Sequence, residues 1–291
     1  MRFTSSAPGS AVDRPDRDGP GRGRASEMGR RTSPSGPSVL VTGATSGVGA
    51  AAAECFVARG FRVFGTQDFG RGRACPEGVT WVGADVGSAA SAQRAVEAIL
   101  DQSSRLDVVV CGAGQGAFGW GGDISIAAAF QQFEATFQNT LRTLRAVLPQ
   151  LCKQRSGRVV LLGTVAGRAP VPLQLHYSAA KAAVDGLASS LRRELRRFGV
   201  QVSLVAPADL DLPFERAMVS RQDSDAMRRD GSAKEGPPLR GPRPETMVAA
   251  IEAAATARRA RRRYDVCPEC VSRSRLSTIL ARWRTRRALE G

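Results

Sequence analysis

The sequence predicts an α/β fold: one doubly wound parallel sheet with helices on both faces. Three observations lead there. From Ser38 onward, short β-rich apolar runs alternate with longer helix-like stretches. Consecutive positions in each short run are apolar, as in strands buried on both faces, and right-handed crossovers between such strands wind the sheet both ways. A glycine-rich turn follows the first run directly and opens the first helix-like stretch. The chain has 291 residues, 42% of them hydrophobic, which is enough for one large domain with a buried core.

Residues 1–37 are rich in Gly, Pro, Ser, Arg and Asp and nearly lack large apolar residues. Such a segment cannot offset its chain entropy, so a disordered N-terminal extension is expected. Met28 lies ten residues before the first strand-like run, and translation is expected to start there as an alternative to Met1. The domain is expected over 38–266. Its strands are read at 38–42, 62–66, 79–83, 107–111, 158–163 and 200–206. The helices are read at 47–59, 89–103, 124–148 with a break, and 176–198. Pro207, Pro213, Pro237, Pro238, Pro242, Pro244 and many charges interrupt the rhythm around 208–245. A long irregular excursion after a strand's carboxyl end suits a substrate loop. A helix at 245–257 and a short strand at 263–266 close the sheet, and 267–291 form an Arg-rich tail, read as helical.

The net charge is +15, yet residues 1–37 supply +3 and residues 256–291 supply +8 of it. The body is nearly neutral. A solvated basic tail is therefore favoured over a nucleic-acid contact. No apolar run reaches the roughly 18–20 residues of a membrane helix, and no apolar stretch follows the N-terminal arginines, so a cytoplasmic protein without a membrane contact is expected. Six cysteines lie at 55, 75, 111, 152, 267 and 270. Cys55 and Cys111 read as small core residues. Cys267 and Cys270 form a lone Cys-Pro-Glu-Cys; zinc would need a second pair, so no metal is expected.

Gly43, Gly47 and Gly49 sit at the first strand-to-helix turn. Glycine permits the tight turn and a close backbone approach to a pyrophosphate, which the next helix's N-terminus attracts. This is the signature of a Rossmann-type dinucleotide site. Asp68 ends the second strand region, 19 residues after Gly49, where an acid hydrogen-bonds a ribose 2′-hydroxyl and repels a 2′-phosphate. Arg71 and Arg73 stand close by and favour the phosphate. NAD or NADP is expected, with a lean to NAD. Asp85, after the third strand, suits an adenine amino group; an ordinary helix cap is the alternative.

Tyr177 and Lys181 stand four apart on the helix 176–198 and so share a face. Lysine is rare in this chain, with three among 42 basic residues. A phenol with a pKa near ~10 trades protons poorly at neutrality, and a neighbouring ammonium favours the phenolate. Thr164, 13 residues earlier, offers a hydroxyl to a substrate oxygen.

In order, Thr42-Gly43-Ala44-Thr45-Ser46-Gly47-Val48-Gly49, Asp85, Cys111-Gly112-Ala113-Gly114, Thr164 and Tyr177-Ser178-Ala179-Ala180-Lys181 resemble the short-chain dehydrogenase/reductase family. The resemblance runs from about Ser38 to Phe214 and more weakly to Asp265. Residues 107–119, "RAVLPQL" and the basic stretch before Tyr264 look similar to the hydroxysteroid and retinol dehydrogenase branch. The resemblance implies Tyr177 as general acid/base, Lys181 as its support and a nicotinamide-ribose contact, and Thr164 as the substrate-orienting hydroxyl. It implies cofactor contacts at Thr42, Gly43, Thr45, Ser46, Gly47, Val48, Gly49, Asp68, Asp85, Val86, Gly112, Ala113, Gly114 and Pro207. A homo-dimer or homo-tetramer paired through 124–148 and 176–198 is implied too.

The supporting residues depart from the family pattern. Cys111-Gly112 replaces two asparagines, Thr164 a serine, Thr136 the helix asparagine, and Asn139 a glycine; Ala208 follows Pro207 in place of glycine, and Leu212 replaces a threonine. The expected activity is hydride transfer between nicotinamide and an apolar secondary alcohol or ketone. The alternatives are a cofactor-binding protein with little catalysis and a nucleic-acid binder using the tail. His176 reads as a surface or packing residue ahead of a cleft residue, while Phe118, Trp120 and Phe214 wall an apolar pocket or serve ordinary packing.

Overall fold

The computed structural model describes residues 36–45, 47–66, 76–83, 88–112, 114, 120–122, 124–170, 174–207 and 244–266. Expectations for Met28 and the extension, the segment 208–243, the tail from 267 and Cys75, Cys267 and Cys270 lie outside these residues. Seven parallel strands are described, in the order β3-β2-β1-β4-β5-β6-β7. They are β1 (Ser38–Thr42), β2 (Arg62–Thr66), β3 (Val79–Val82), β4 (Val108–Cys111), β5 (Gly157–Leu162), β6 (Val200–Pro207) and β7 (Arg263–Val266). The helices are α1 (Gly47–Ala58), α2 (Ala89–Ser103), α3 (Ile126–Phe133), α4 (Asn139–Gln154), α5 (Leu175–Leu195) and α6 (Pro244–Thr256).

Strand alternation builds two apolar layers. Leu40, Phe64, Val109, Leu161 and Leu204 meet α2, α4 and α5 on one face. Val39, Val41, Val63, Val110 and Val205 meet α1 and α6 on the other. Both β1 and β4 are buried along their full length, including Ser38 and Thr42 at the ends of β1. Ser88 caps α2 by accepting from the Ser91 N–H, and Ser125 caps α3 from Ala128. Gly199, at φ 71°, ends the 3-10 turn Arg196–Phe198 that follows α5.

Two expectations change. The stretch 124–148 is α3, a five-residue π turn at Glu134–Gln138, and α4, which runs on to Gln154. The Asn139 N–H reaches back to the Glu134 carbonyl, and the Phe133 and Phe137 rings lie 5.0 Å apart. Fully buried Leu151 carries the last turn of α4 into the core despite Pro149. Cys55 is also not a core residue: it is half-buried at the α1–α6 seam, its Sγ 3.8 Å from Glu252, which pairs with Arg59 at 2.8 Å. Cys111 is buried as expected, and burial pushes its thiol up to about 12.

Candidate active site

Parallel register aligns the carboxyl ends of the central strands. Thr42 pairs with Cys111, Leu162 with Val205, and Pro207 with Val266. The strand order reverses between β1 and β4, which opens a crevice at that edge. There the Gly112 N–H donates to Thr42 Oγ1 at 3.1 Å.

The glycine turn forms by close backbone approach. A Cβ on Gly49 would stand 2.2 Å from the Gly43 carbonyl oxygen, so this position admits no side chain without displacing the turn. Gly43 and Gly47 adopt φ 71° and 52°, where glycine alone is unstrained. Thr45 is half-buried, Val48 is buried and Gly47 is exposed. Gly47 opens the twelve-residue α1, and the first N–H groups of a helix have no partner within it. These features suit a dinucleotide's pyrophosphate.

Tyr177 and Lys181 are brought together on one row of α5. Lys181 Nζ stands 5.7 Å from the Tyr177 ring centroid and donates to the Leu162 carbonyl at 2.9 Å, at the end of β5. Both residues are buried, Lys181 at 8% exposure. Burial pushes the Lys181 ammonium down to about 8. Thr164, two residues past β5, caps the 3-10 turn Val165–Gly167. Its Oγ1 accepts from the Ala166 N–H and donates to the Pro207 carbonyl, both at 3.3 Å. The hydroxyl expected to orient substrate is therefore engaged with the chain itself. Gly167 lets that turn pack on α5: a Cβ there would lie 3.0 Å from the Lys181 carbonyl carbon. Gly114 joins the same spot, since its Cβ position is 3.9 Å from Lys181 Nζ.

Ser46, Asp68, Asp85, Val86, Ala113, Phe118, Leu212 and Phe214 lie outside the described residues. His176 is half-buried, with Nε2 shut from solvent and without a hydrogen-bond partner among the described residues. Trp120 is half-exposed beside Gly122, and exposed Leu175 lies against Gly121. Sequence reasoning missed the Leu162 carbonyl, because a backbone acceptor leaves no residue signal. It also missed Gln132, which is buried and donates to Thr136 Oγ1 at 2.8 Å. A polar residue four before Thr136 was the available clue.

Comparison with known proteins identifies related chains. The family model of short chain dehydrogenases matches residues 37–223. The chain is 32% identical over 184 residues to 3-ketodihydrosphingosine reductase of Bacteroides thetaiotaomicron, spanning 60% of this chain but only 65% of that one. It is 30% identical over 205 residues to the 3-oxoacyl-[acyl-carrier-protein] reductase MabA of Mycobacterium avium, covering 69% and 79%. A solved short-chain dehydrogenase from Streptomyces avermitilis superposes with a TM-score of 0.69 at 27% identity, covering 86% of this chain and 94% of the other. A 3-ketoacyl-(acyl-carrier-protein) reductase from Brucella melitensis, solved with NADH, shares the fold with the same TM-score at 20% identity.

Proposed function

The chain belongs to the short-chain dehydrogenase family of oxidoreductases, and from that premise we propose that it interconverts an apolar secondary alcohol and its ketone with a nicotinamide dinucleotide, which when bound supplies or accepts the hydride. One observation carries the reading: the Lys181 ammonium beside the Tyr177 ring, at the same sheet edge as the glycine turn. Tyr177 gives a proton to, or takes one from, the substrate oxygen. Lys181, a compact charge anchored by the Leu162 carbonyl, favours the phenolate and so eases that transfer. Thr164 orients the substrate oxygen once its hydroxyl turns from Pro207. Thr42, Gly43, Thr45, Ser46, Gly47, Val48 and Gly49 hold the dinucleotide with Asp85, Val86, Gly112, Ala113, Gly114 and Pro207. Asp68 favours NAD over NADP by repelling a 2′-phosphate.

The names of relatives support a keto substrate, since two of them are reductases of 3-keto or 3-oxoacyl compounds. Half-exposed Trp120 and exposed Leu175, near the start of the helix that carries Tyr177, support an apolar one. The engaged Thr164 hydroxyl favours a second reading, a cofactor-binding protein with little catalysis. Turnover of a ketone panel by parent and Tyr177→Phe separates the two. Losing the phenolic proton should cost about 10²–10⁴-fold in kcat while NADH still binds. Equal rates in both proteins would leave the binding protein standing. Paired titrations with NADH and NADPH test the cofactor preference.

A further inference from the structure

We propose that the arginine-lined flank of β6 docks the phosphate backbone of duplex nucleic acid, without reading its sequence. Residues 256–291 hold eleven arginines, and the fold takes five of them, at 258, 259, 261, 262 and 263, into the domain. The loop between α6 and β7 lies along β6. Gln201 Nε2 donates to the Arg258 carbonyl at 3.4 Å, and Gln201 Oε1 accepts from the Ala260 N–H at 3.0 Å. Ser203 Oγ donates to the Arg261 carbonyl at 2.8 Å, and Arg192 Nη2 donates to the Arg262 carbonyl at 2.6 Å. The loop backbone is thus tied inward, while Arg258, Arg259, Arg261 and Arg262 are all exposed. A loop already fixed loses little freedom when it binds.

The ends of α5 and α4 extend the patch. Arg193, Arg196 and Arg197 are exposed at the end of α5 and in the turn after it, and Lys153 and Arg155 at the end of α4. Arg155 Nη2 donates to the Arg197 carbonyl at 3.1 Å, which joins the two ends. The segments 153–158, 192–201 and 258–263 contain one carboxylate, Glu194, which accepts from Ser190 Oγ. None of the nine exposed cations forms an ion pair with a carboxylate among the described residues. Burial, and then the nearby Arg262 charge, push the Arg192 guanidinium below its ordinary value. Like charges so placed repel one another and disfavour the compact state. Helix dipoles account for Lys153, Arg192 and Arg193 in the last turns of α4 and α5. They do not account for the loop arginines, which follow the end of α6 and lie beside a strand. An arginine fork grips phosphate through paired hydrogen bonds. From Gln201 to Leu204 the loop follows about 10 Å of β6 at ~3.3 Å per residue, and a duplex offers one charge per about 1.7 Å of its axis. The exposed large apolar residues Trp120, Ile126, Phe130, Leu141 and Leu175 all lie outside these segments. The patch therefore has nothing to insert into lipid or to stack on an unpaired base, and a regular phosphate array suits it best.

The probe is a fluorescein-labelled DNA duplex of about 20 base pairs, read by anisotropy with the full chain. Affinity should fall roughly 10²–10³-fold between about 50 and 200 mM NaCl, a log–log slope near about −4 to −5, and a duplex of unrelated sequence should bind equally. Replacing Arg258, Arg259, Arg261 and Arg262 together by Gln keeps the backbone bonds and should flatten the slope by about 2–4. Arg193→Gln with Arg196→Gln and Arg197→Gln should flatten it too, and this variant carries the test if the loop variant does not fold. Arg94→Gln with Arg145→Gln, at exposed positions of α2 and α4 outside the patch, should bind like the parent. A parent that does not bind the duplex at about 50 mM NaCl would overturn the proposal. So would a slope unchanged in both patch variants, which would assign binding to residues after 266. Vesicles of phosphatidylcholine with about 30% phosphatidylserine are the competing arm. Vesicle binding that the patch variants lose, with no duplex binding by the parent, would overturn the proposal in favour of a membrane surface. Ketone turnover should be unchanged in the loop variant, so this result and the Tyr177→Phe assay can each fail alone.

Discussion

Lys181 is held in the fold at a cost in stability. Its folded value of about 8 lies below the ordinary 10.5, so the unfolded chain binds more protons between those values and stability rises with pH across that window. The unfavourable contribution is fully present below about pH 8 and fades as pH approaches 10.5. The gap corresponds to about 3 kcal/mol at neutrality. Lys181→Met removes the buried charge but leaves the Leu162 carbonyl without its donor. We expect a net gain of about 1–2 kcal/mol at pH 7 that shrinks by pH 9.5, with turnover lost. Urea denaturation of both proteins at the two pH values checks this, and a variant less stable than the parent at pH 7 would contradict it. Gly49 is the opposite case, a residue whose lack of a side chain makes the turn possible at all.

α5 does its work in steps of four residues: Tyr177 and Lys181 at one end of the row, Asp185 one turn further. Asp185 accepts from Arg168 Nε and Nη2 at 2.6 and 3.0 Å and from Arg263 Nη1 at 2.6 Å. Burial pushes its carboxyl up, but the Arg168 hydrogen bonds and the Arg263 charge outweigh burial and hold it below the ordinary range. One helix row thus carries Tyr177 and Lys181 and ties α5 to the turn after Thr164 and to strand β7. Next to Asp185, Gly186 is exposed with open space where a Cβ would go. Gly186→Ala should raise stability by roughly 0.5–1 kcal/mol, since glycine carries the larger backbone entropy loss in a helix interior. A Gly49→Ala control, whose Cβ would strike the Gly43 carbonyl, should lower it. Thermal midpoints of the two variants must move in opposite directions.

At the scale of the molecule, α3 carries the two most exposed large apolar residues among the described ones, Ile126 at 72% and Phe130 at 71%, and α4 adds Leu141 at 39%. Large exposed apolar residues one turn apart mark an association surface more often than a solvated one. A homo-dimer or homo-tetramer in solution is the expected outcome, read by light scattering after size exclusion. Ile126→Glu with Phe130→Glu should shift it toward monomer without lowering the thermal midpoint of the fold by more than a few degrees. A parent protein that is monomeric at micromolar concentration would refute this. Among the described residues, no helix is long and apolar enough to cross a membrane.

Sequence alone determined the sheet, because strands covered on both faces carry consecutive apolar residues, as Val39–Val41 and Val63–Phe64 do at the centres of β1 and β2. It also placed Tyr177 and Lys181 on one face, since a four-residue step is a property of any helix. What surrounds that pair was decided only in three dimensions. Leu162 offers a carbonyl and Gly114 an absence, and neither has a local pattern that distinguishes it from its neighbours. The π turn was likewise invisible, because one extra residue in a helical turn is set by the packing of Phe133 on Phe137 and by buried hydrogen bonds, not by propensity. Contacts between residues distant in the chain carry no periodicity, so folding alone could reveal how Lys181 is held.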